Sequence, residues 1–536
     1  MKSKHLNRLL ILGTFILSTT INAQSSGALT AKKAELKETE LKRWSHLDLT
    51  KDSVPGMSVD KAYAELIKNK KGVKVIVGII DSGVDIEHED LKSVVWTNKK
   101  EIPGNGKDDD KNGYVDDIHG WNFLGDITKE NYEYARIANN KNLADEKTYN
   151  AAKAEMESKI KEAVAAKSQM EKVLEGTTKA DEVIVKHLGK PVYTIEEVSK
   201  IESSDPEISK SKMIMQQMLS YGLSVEALKK EIKDQYDHYA KLESNAAFVD
   251  YRKILGDNPD DIKDTKYGNN NVMGPDKKET RHGTHVAGIV AQSRNNNIGG
   301  DGIANNVEIL TVRAVPDGDE YDKDIALGIR YAVDNGAKVI NASFGKSYSP
   351  HKQWVYDAIK YAEKKDVLIV HAAGNDAKDI DVENNFPNDS DDKKTEFANN
   401  VITVGALNYK YGEDVVANFS NFGKLNVDVF APGVKIYATT PENTYEFLQG
   451  TSMASPNVAG VAALIRSHYP KLSAAQVKRV LMESGIALET KVRVGENQDK
   501  KAFSELSKSG RIVNAYNALK MAEQLSKNPK MQNFKG

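Results

Sequence analysis

Five short runs of almost unbroken apolar residues, each closing on a polar or glycine-rich turn, constrain the fold more than any other feature. The first is VIVGII, Val75 to Ile80, which ends in Asp81 and a glycine turn. VEILTVRAV follows from Val307, then AKVINASFG from Ala337, DVLIVHAAGN from Asp366 and NVITVGAL from Asn400. A strand that is apolar on both faces must be covered on both, as in the parallel sheet of an α/β domain. Helical patterns such as DKDIALGIRYAVDNG and WVYDAIKYAEKK lie between the runs. The alternation predicts a doubly wound, mostly parallel α/β sheet. Ligands in such sheets bind beyond the strand C-termini, where Asp81, Ser343 and Asn375 fall.

One stretch breaks the alternation. From about Ile127 to Pro275 the chain is rich in Lys, Glu and Ala and has no buried-strand run. Met156, Ile160, Val164, Met170 and Leu174 form one helical stripe, and Leu228, Ile232, Tyr236, Tyr239 and Leu242 another. Thr194 and Glu197 fit a capping box. The expected organisation is a catalytic domain over 44–126 and 276–523, a helical insertion over 127–275 and a tail over 524–536. Residues 1–23 read as an export signal: Lys2, Lys4 and Arg8, an apolar run from Leu9 to about Leu17, then Ala23 as a small cleavage-site residue. Residues 24–43 form a short leader or prosegment. No second apolar segment of spanning length follows, so the mature chain is expected to be exported, extracellular or periplasmic, without a stable membrane span.

With 75 Lys+Arg against 77 Asp+Glu, charge gives no reason to expect nucleic acid as a partner. The absence of cysteine excludes disulfides, thiolate metal sites and a Cys nucleophile.

Three short stretches carry chemistry. GTSMASP, from Gly450, sets Ser452 at the mouth of a small-residue helix, where free N–H groups and the helix dipole gather. A Ser there caps the helix or serves as a nucleophile whose oxyanion meets those N–H groups. The following Pro456 is expected in the first turns, where a missing N–H costs little. RHGTHVAG sets His282 and His285 one turn apart. The pair could ligate a metal with Asp81, be ordinary polar residues, or supply a general base that a strand-end carboxylate orients. HAAGND sets Asn375 after a strand and a Gly, as a turn residue or an amide donor beside Ser452.

Together and in this order, DSGVD, HGTHVAG, AAGN and GTSMASP resemble the signature blocks of the subtilisin-like serine proteases, the subtilase family. The resemblance covers about Trp44 to Asp126 and Glu279 to Glu523 and leaves the insertion outside. It implies an exported serine endopeptidase acting on proteins or peptides, with Asp81 orienting His282, His282 as base, Ser452 as nucleophile and Asn375 in the oxyanion hole. It makes His285 structural. It implies that Ser343, Phe344 and Gly345 pair with extended substrate, and that Ala372, Ala373 and Gly374 wall an S1 pocket, roomy and suited to apolar P1 residues. Rival readings are a processing protease whose insertion restricts access, a catalytically silent peptide-binding protein, and a zinc hydrolase through the two His. Two departures stand out: the leader is far shorter than the family's prosegment, and Asn457 replaces a usual His.

Cations are expected too, and no organic cofactor. In GNGKDDDKNGYVDDIHGW, Asp108, Asp110, Asn112, Gly113, Tyr114 and Asp116 match the first, third, fifth, sixth, seventh and ninth positions of an EF-hand-like Ca2+ loop. His119 stands where the bidentate Glu would be, with Asp117 as a substitute. The resemblance implies a second Ca2+ site from Asp90, the Asn296 side chain and carbonyls around Arg294, Ile298 and Gly300.

Overall fold

The computed structural model describes residues 31–528 apart from 33, 221–223 and 245–248. The predicted export segment, 1–23, lies outside the described residues. Three one-turn helices, α1 (Glu38–Leu41), α2 (Leu49–Asp52) and α3 (Val59–Ala62), lead into the first strand. The strands are β1 (Val75–Asp81), β2 (Gly120–Asn122), β3 (Val307–Arg313), β4 (Val339–Ala342), β5 (Leu368–Ala372), β6 (Val401–Leu407), β7 (Val429–Pro432), β8 (Ile436–Thr440), β9 (Thr444–Leu448), β10 (Ile486–Ala487), β11 (Lys491–Val494), β12 (Asp499–Ala502) and β13 (Arg511–Ile512). Nine form one sheet in the order β10-β13-β7-β6-β5-β4-β1-β3-β2. Every pairing in it is parallel except β10 with β13 at one edge. Strands β8 and β9, and β11 and β12, form separate hairpins.

Alternate side chains of β1 enter different cores, as a doubly wound sheet requires. Val77 and Ile79 join the core that holds Val286 and Val290 of α9 (Arg281–Ala291) and Val458 and Val461 of α12 (Thr451–His468). Ile80 joins the opposite core, with Ile325 of α10 (Asp322–Asp334) and Ile359 of α11 (Lys352–Lys364). Helices α13 (Ala474–Glu483) and α14 (Ala515–Lys527) complete the α12 side. The chain runs from β1 outward to β3 on one side and to β4 on the other, so the sheet's switch point lies at β1. Asp81 closes β1 there.

The helical stretch lies between β2 and α9. It comprises α4 (Glu133–Asn139), α5 (Glu146–Leu188), α6 (Ile195–Ser199), α7 (Pro206–Leu219) and α8 (Val225–Ser244). Helix α5 has 43 residues, roughly 64 Å at 1.5 Å per residue. Asp145 caps its start, and Gly189 in the left-handed region ends it. The Thr194–Glu197 capping box forms as predicted. Ile184, Tyr193, Val198, Met215 and Leu219 make a small core of their own. The predicted α5 stripe does not all face that core: Val164 is 40% exposed, while Met156 and Ile160 line a cavity beside the sheet.

The inner end of this unit is held by buried ion pairs. Arg136 contacts Glu133 at 2.6 Å and lies 3.7 Å over the Tyr321 ring. Arg252 contacts Asp324 at 2.6 Å and Asp257 at 2.7 Å. Lys346, directly after Gly345, contacts Glu133 at 2.8 Å and Asp322 at 3.0 Å. Removing one partner from such a set strands a buried charge and costs about 3–5 kcal/mol.

Candidate active site

The site is assembled at the C-terminal ends of β1, β4 and β5 and at the start of α12. Asp81 is 1% exposed, and its Oδ1 lies 2.7 Å from His282 Nδ1. The Ser82 N–H also donates to that oxygen at 2.7 Å. Helix α9 approaches this closely because Gly283 follows His282: a Cβ there would come within 2.1 Å of the Gly83 carbonyl and 3.1 Å of Asp81 Oδ1. Burial opposes charge on the His282 ring, but the Asp81 carboxylate and its hydrogen bond outweigh it and raise the ring's pKa.

His285 takes a different role. It is fully buried, and its Nε2 lies 3.0 Å from the Ile436 carbonyl and 3.1 Å from that of Glu446. Nε2–H therefore donates to the β8–β9 hairpin. Burial pushes the ring's pKa down to about 3. Among the described residues, the ligand-type side chains close enough to share a metal ion are Glu101, Asp108 and Asp110, a set that includes neither His282 nor His285.

Ser452 is the second residue of α12. Its Oγ donates to the Ser343 carbonyl at 3.1 Å, and Ser343 Oγ donates to the Ser452 carbonyl at 2.9 Å. Pro456 explains the second bond. It lies one turn further into the helix than the sequence suggested, four residues beyond Ser452. Its missing N–H would have bonded the Ser452 carbonyl, and Ser343 supplies the replacement. Asn341 Nδ2 donates to Ser343 Oγ at 2.8 Å, and Ser455 Oγ donates to Asn341 Oδ1 at 2.7 Å. Ser343 is thus 3% exposed behind the nucleophile, not along an open edge.

Asn375 is oriented by Thr451, whose N–H and hydroxyl donate to its Oδ1 at 2.8 and 3.0 Å. That leaves Nδ2 as the outward donor. A side chain begun at Gly450 (φ 148°) would place its Cβ 3.6 Å from both Asn375 Nδ2 and Ser452 N. Both nitrogens thus border the one small volume that glycine leaves open.

A cavity of about 820 Å³ opens beside Ser452. Phe344, Gly345, Ala372 and Gly374 line it, as expected. Ala373 does not; it is fully buried and its carbonyl accepts from Asn421 Nδ2 at 2.9 Å. The opposite wall comes from residues the sequence did not place here: Tyr134, Glu155, Met156 and Ile160 of the helical stretch, with Glu130 and Asp319.

The acidic loop gathers a cation-sized donor set different from the one the sequence suggested. Carboxylate oxygens of Glu101, Asp108 and Asp110 lie within 4.8 Å of one another. Glu101 is 6% exposed and its Oε2 has no hydrogen-bond partner. An orphaned buried carboxylate beside two others fits a hard cation. Asn112 and Tyr114 belong to the same loop. Asp116 instead accepts from the Asn105 and Gly106 N–H groups. Asp117 accepts from Asn98 and the Tyr331 hydroxyl at 2.9 and 2.6 Å. At the second candidate, Asp90 Oδ2 is buried and unpartnered, which also fits a cation. Asn296, however, presents Nδ2 to Asp90 Oδ1 at 2.6 Å, and the exposed Ile298 donates its N–H to the Asn296 amide oxygen. Arg294 points its guanidinium at the Gly302 carbonyl, so the oxygens it, Ile298 and Gly300 could offer such a site are main-chain ones.

The sequence matches the Subtilase family model over residues 72–508. It is 46% identical over 187 residues to the thermophilic serine proteinase of Bacillus sp. strain AK1, covering 35% of this chain and 42% of that protein. It is 39% identical to subtilisin DY of Bacillus licheniformis, over 39% of this chain and 71% of that one. It is 40% identical to thermitase of Thermoactinomyces vulgaris, over 35% and 61%. The matched part thus spans less than half the length of the AK1 proteinase. With a family match across more than half its residues and a parallel sheet that ends on Asp81 beside His282, the chain belongs to the subtilase family.

Proposed function

We propose that the chain is an exported serine endopeptidase that cleaves protein or peptide substrates through an acyl-enzyme. One observation carries the reading: Asp81 holds His282 by Nδ1, while Ser452 N and Asn375 Nδ2 lie at equal distance, 3.6 Å, from the position a Cβ of Gly450 would take. Asp81 fixes the tautomer that leaves Nε2 as the acceptor and stabilises the imidazolium. Ser452 turns about χ1 from the Ser343 carbonyl toward His282, gives up its proton and attacks the scissile carbonyl. The oxyanion is met by the Ser452 N–H and the Asn375 amide. His282 then protonates the leaving amine, and water, activated by the same ring, releases the acyl group.

The reading includes structural Ca2+, held by Glu101, Asp108 and Asp110, with Asp90 as part of a second site. Bound there, the ion would supply positive charge that relieves repulsion among the carboxylates. No described helix is long and apolar enough to cross a membrane, which accords with export of the chain.

The test is hydrolysis of fluorescent casein by the purified protein beside Ser452→Ala and His282→Ala variants. Turnover by the parent that falls by more than about 10³-fold in both variants supports the reading. Turnover that survives in either overturns it.

A further inference from the structure

The helical stretch reaches into the active-site cleft. Two parts of it, from Glu130 to Ala135 and along α5 from Glu155 to Ala166, line the same cavity as Ser452 and Asn375. The join to the substrate-facing strand end is tight. Lys346 follows Gly345 and buries its amine against Glu133 and Asp322. Two residues on, the Tyr348 hydroxyl donates to Glu155 of α5 at 2.8 Å.

The chemistry of this wall is not that of an apolar pocket. Five carboxylates line the cavity (Glu130, Glu155, Glu162, Asp319 and Asp376), against two amines, Lys159 and Lys346. Lys346 is already spent on its buried partners, and Lys159 lies 3.4 Å from Glu162. Glu130 is 5% exposed, and neither of its carboxylate oxygens has a hydrogen-bond partner; Arg252 stands 3.9 Å away. An unpartnered buried carboxylate is costly. Burial pushes Glu130 up to about 8, and burial with repulsion from Glu133 and Glu155 pushes Asp319 up to about 6. Glu130 therefore keeps its proton at neutral pH and adds no charge, and the cavity's surplus of carboxylates over free amines rests on Glu155, Glu162, Asp319 and Asp376. Tyr132 and Tyr134, stacked 5.5 Å apart, and Tyr348 add ring faces that favour a cation.

We infer that the helical stretch completes the S1 subsite and makes it a receptor for a cationic P1 side chain, arginine or lysine, read by Glu155 and Asp319. The inference rests on the endopeptidase reading for the scissile bond, but the pocket's preference can be measured without catalysis. A guanidinium suits the site because its donors match carboxylates in pairs and its plane stacks on tyrosine.

Two measurements separate this inference from the reading beneath it. In the first, Ser452→Ala protein is titrated with fluorescent peptides that differ only in a C-terminal Arg, Lys, Leu, Phe or Glu, the product-like P1 residue. Arg and Lys peptides should bind at least tenfold tighter than Leu or Phe peptides, with Glu weakest. Glu155→Gln and Asp319→Asn, each in that background, should reduce the Arg-to-Leu ratio by about tenfold; either carboxamide keeps the side chain's shape. In the second, the parent's kcat/KM is compared across the same P1 series. Equal or tighter binding of Leu or Phe, or variants that weaken every peptide alike, overturns the inference even where the parent cleaves. Selective Arg binding with no turnover by the parent leaves the subsite assignment standing and defeats the endopeptidase reading.

Discussion

The bond that Pro456 leaves unmade supports a quantitative prediction. Ser343→Ala removes the hydroxyl that donates to the Ser452 carbonyl at 2.9 Å and accepts from Asn341 Nδ2 at 2.8 Å. Both groups are then stranded among residues that are almost wholly buried. At about 1–3 kcal/mol for each unsatisfied group, with partial relaxation, the loss should be about 2–4 kcal/mol. Pro456→Ala returns an N–H four residues beyond that carbonyl. In the Pro456→Ala background, Ser343→Ala should therefore cost about 1 kcal/mol less, because one of the two stranded groups has regained a helical partner. Urea unfolding of the four proteins, all carrying His282→Ala to prevent self-digestion, measures this cycle. A coupling below about 0.4 kcal/mol would show that Ser343 does not replace the missing helix bond.

Other expectations follow from the same geometry. Because Asp81 raises the pKa of His282 and catalysis needs the neutral ring, the acid limb of kcat/KM should lie above 6.5, with activity lost as pH falls through it. A limb below 6.5 would contradict the assigned partner. Asn375→Leu should lower kcat by about 10²–10³-fold with little change in KM, a magnitude carried over from subtilisin itself. Chelator should lower Tm by several degrees, since a cation at about 100 times its Kd adds about 2.7 kcal/mol. Glu101→Gln should shrink that response, and an unchanged Tm in chelator would remove the cation from the account.

The parts of the fold legible from sequence were those set by local pattern. Doubly buried strands reveal themselves by unbroken apolar runs, so β1, β3, β4, β5 and β6 were all visible, as was the Thr194–Glu197 cap. The signature blocks placed Asp81, His282, Asn375 and Ser452 at element ends, because each short block contains both the reactive side chain and the glycine that permits close approach. Contacts between distant segments were not legible. Nothing in the order of residues brings Glu101 to Asp108, or turns Asp117 toward Tyr331. The insertion misled for the same reason. A helical stripe states that Met156 and Ile160 share a face but not what that face meets, and here it meets the cleft. Small residues at Ala372 and Gly374 suggest a roomy pocket, while Glu155 and Glu162, which line the same cavity, lie more than two hundred residues earlier in the chain.

The central claim is that Ser452 is a nucleophile activated by His282 and Asp81. The most direct test is labelling of the purified protein with a fluorophosphonate, the adduct being mapped by mass spectrometry. The account predicts one adduct, on Ser452, absent from the His282→Ala variant. A protein that stays unlabelled at Ser452, or is labelled equally without His282, would contradict it.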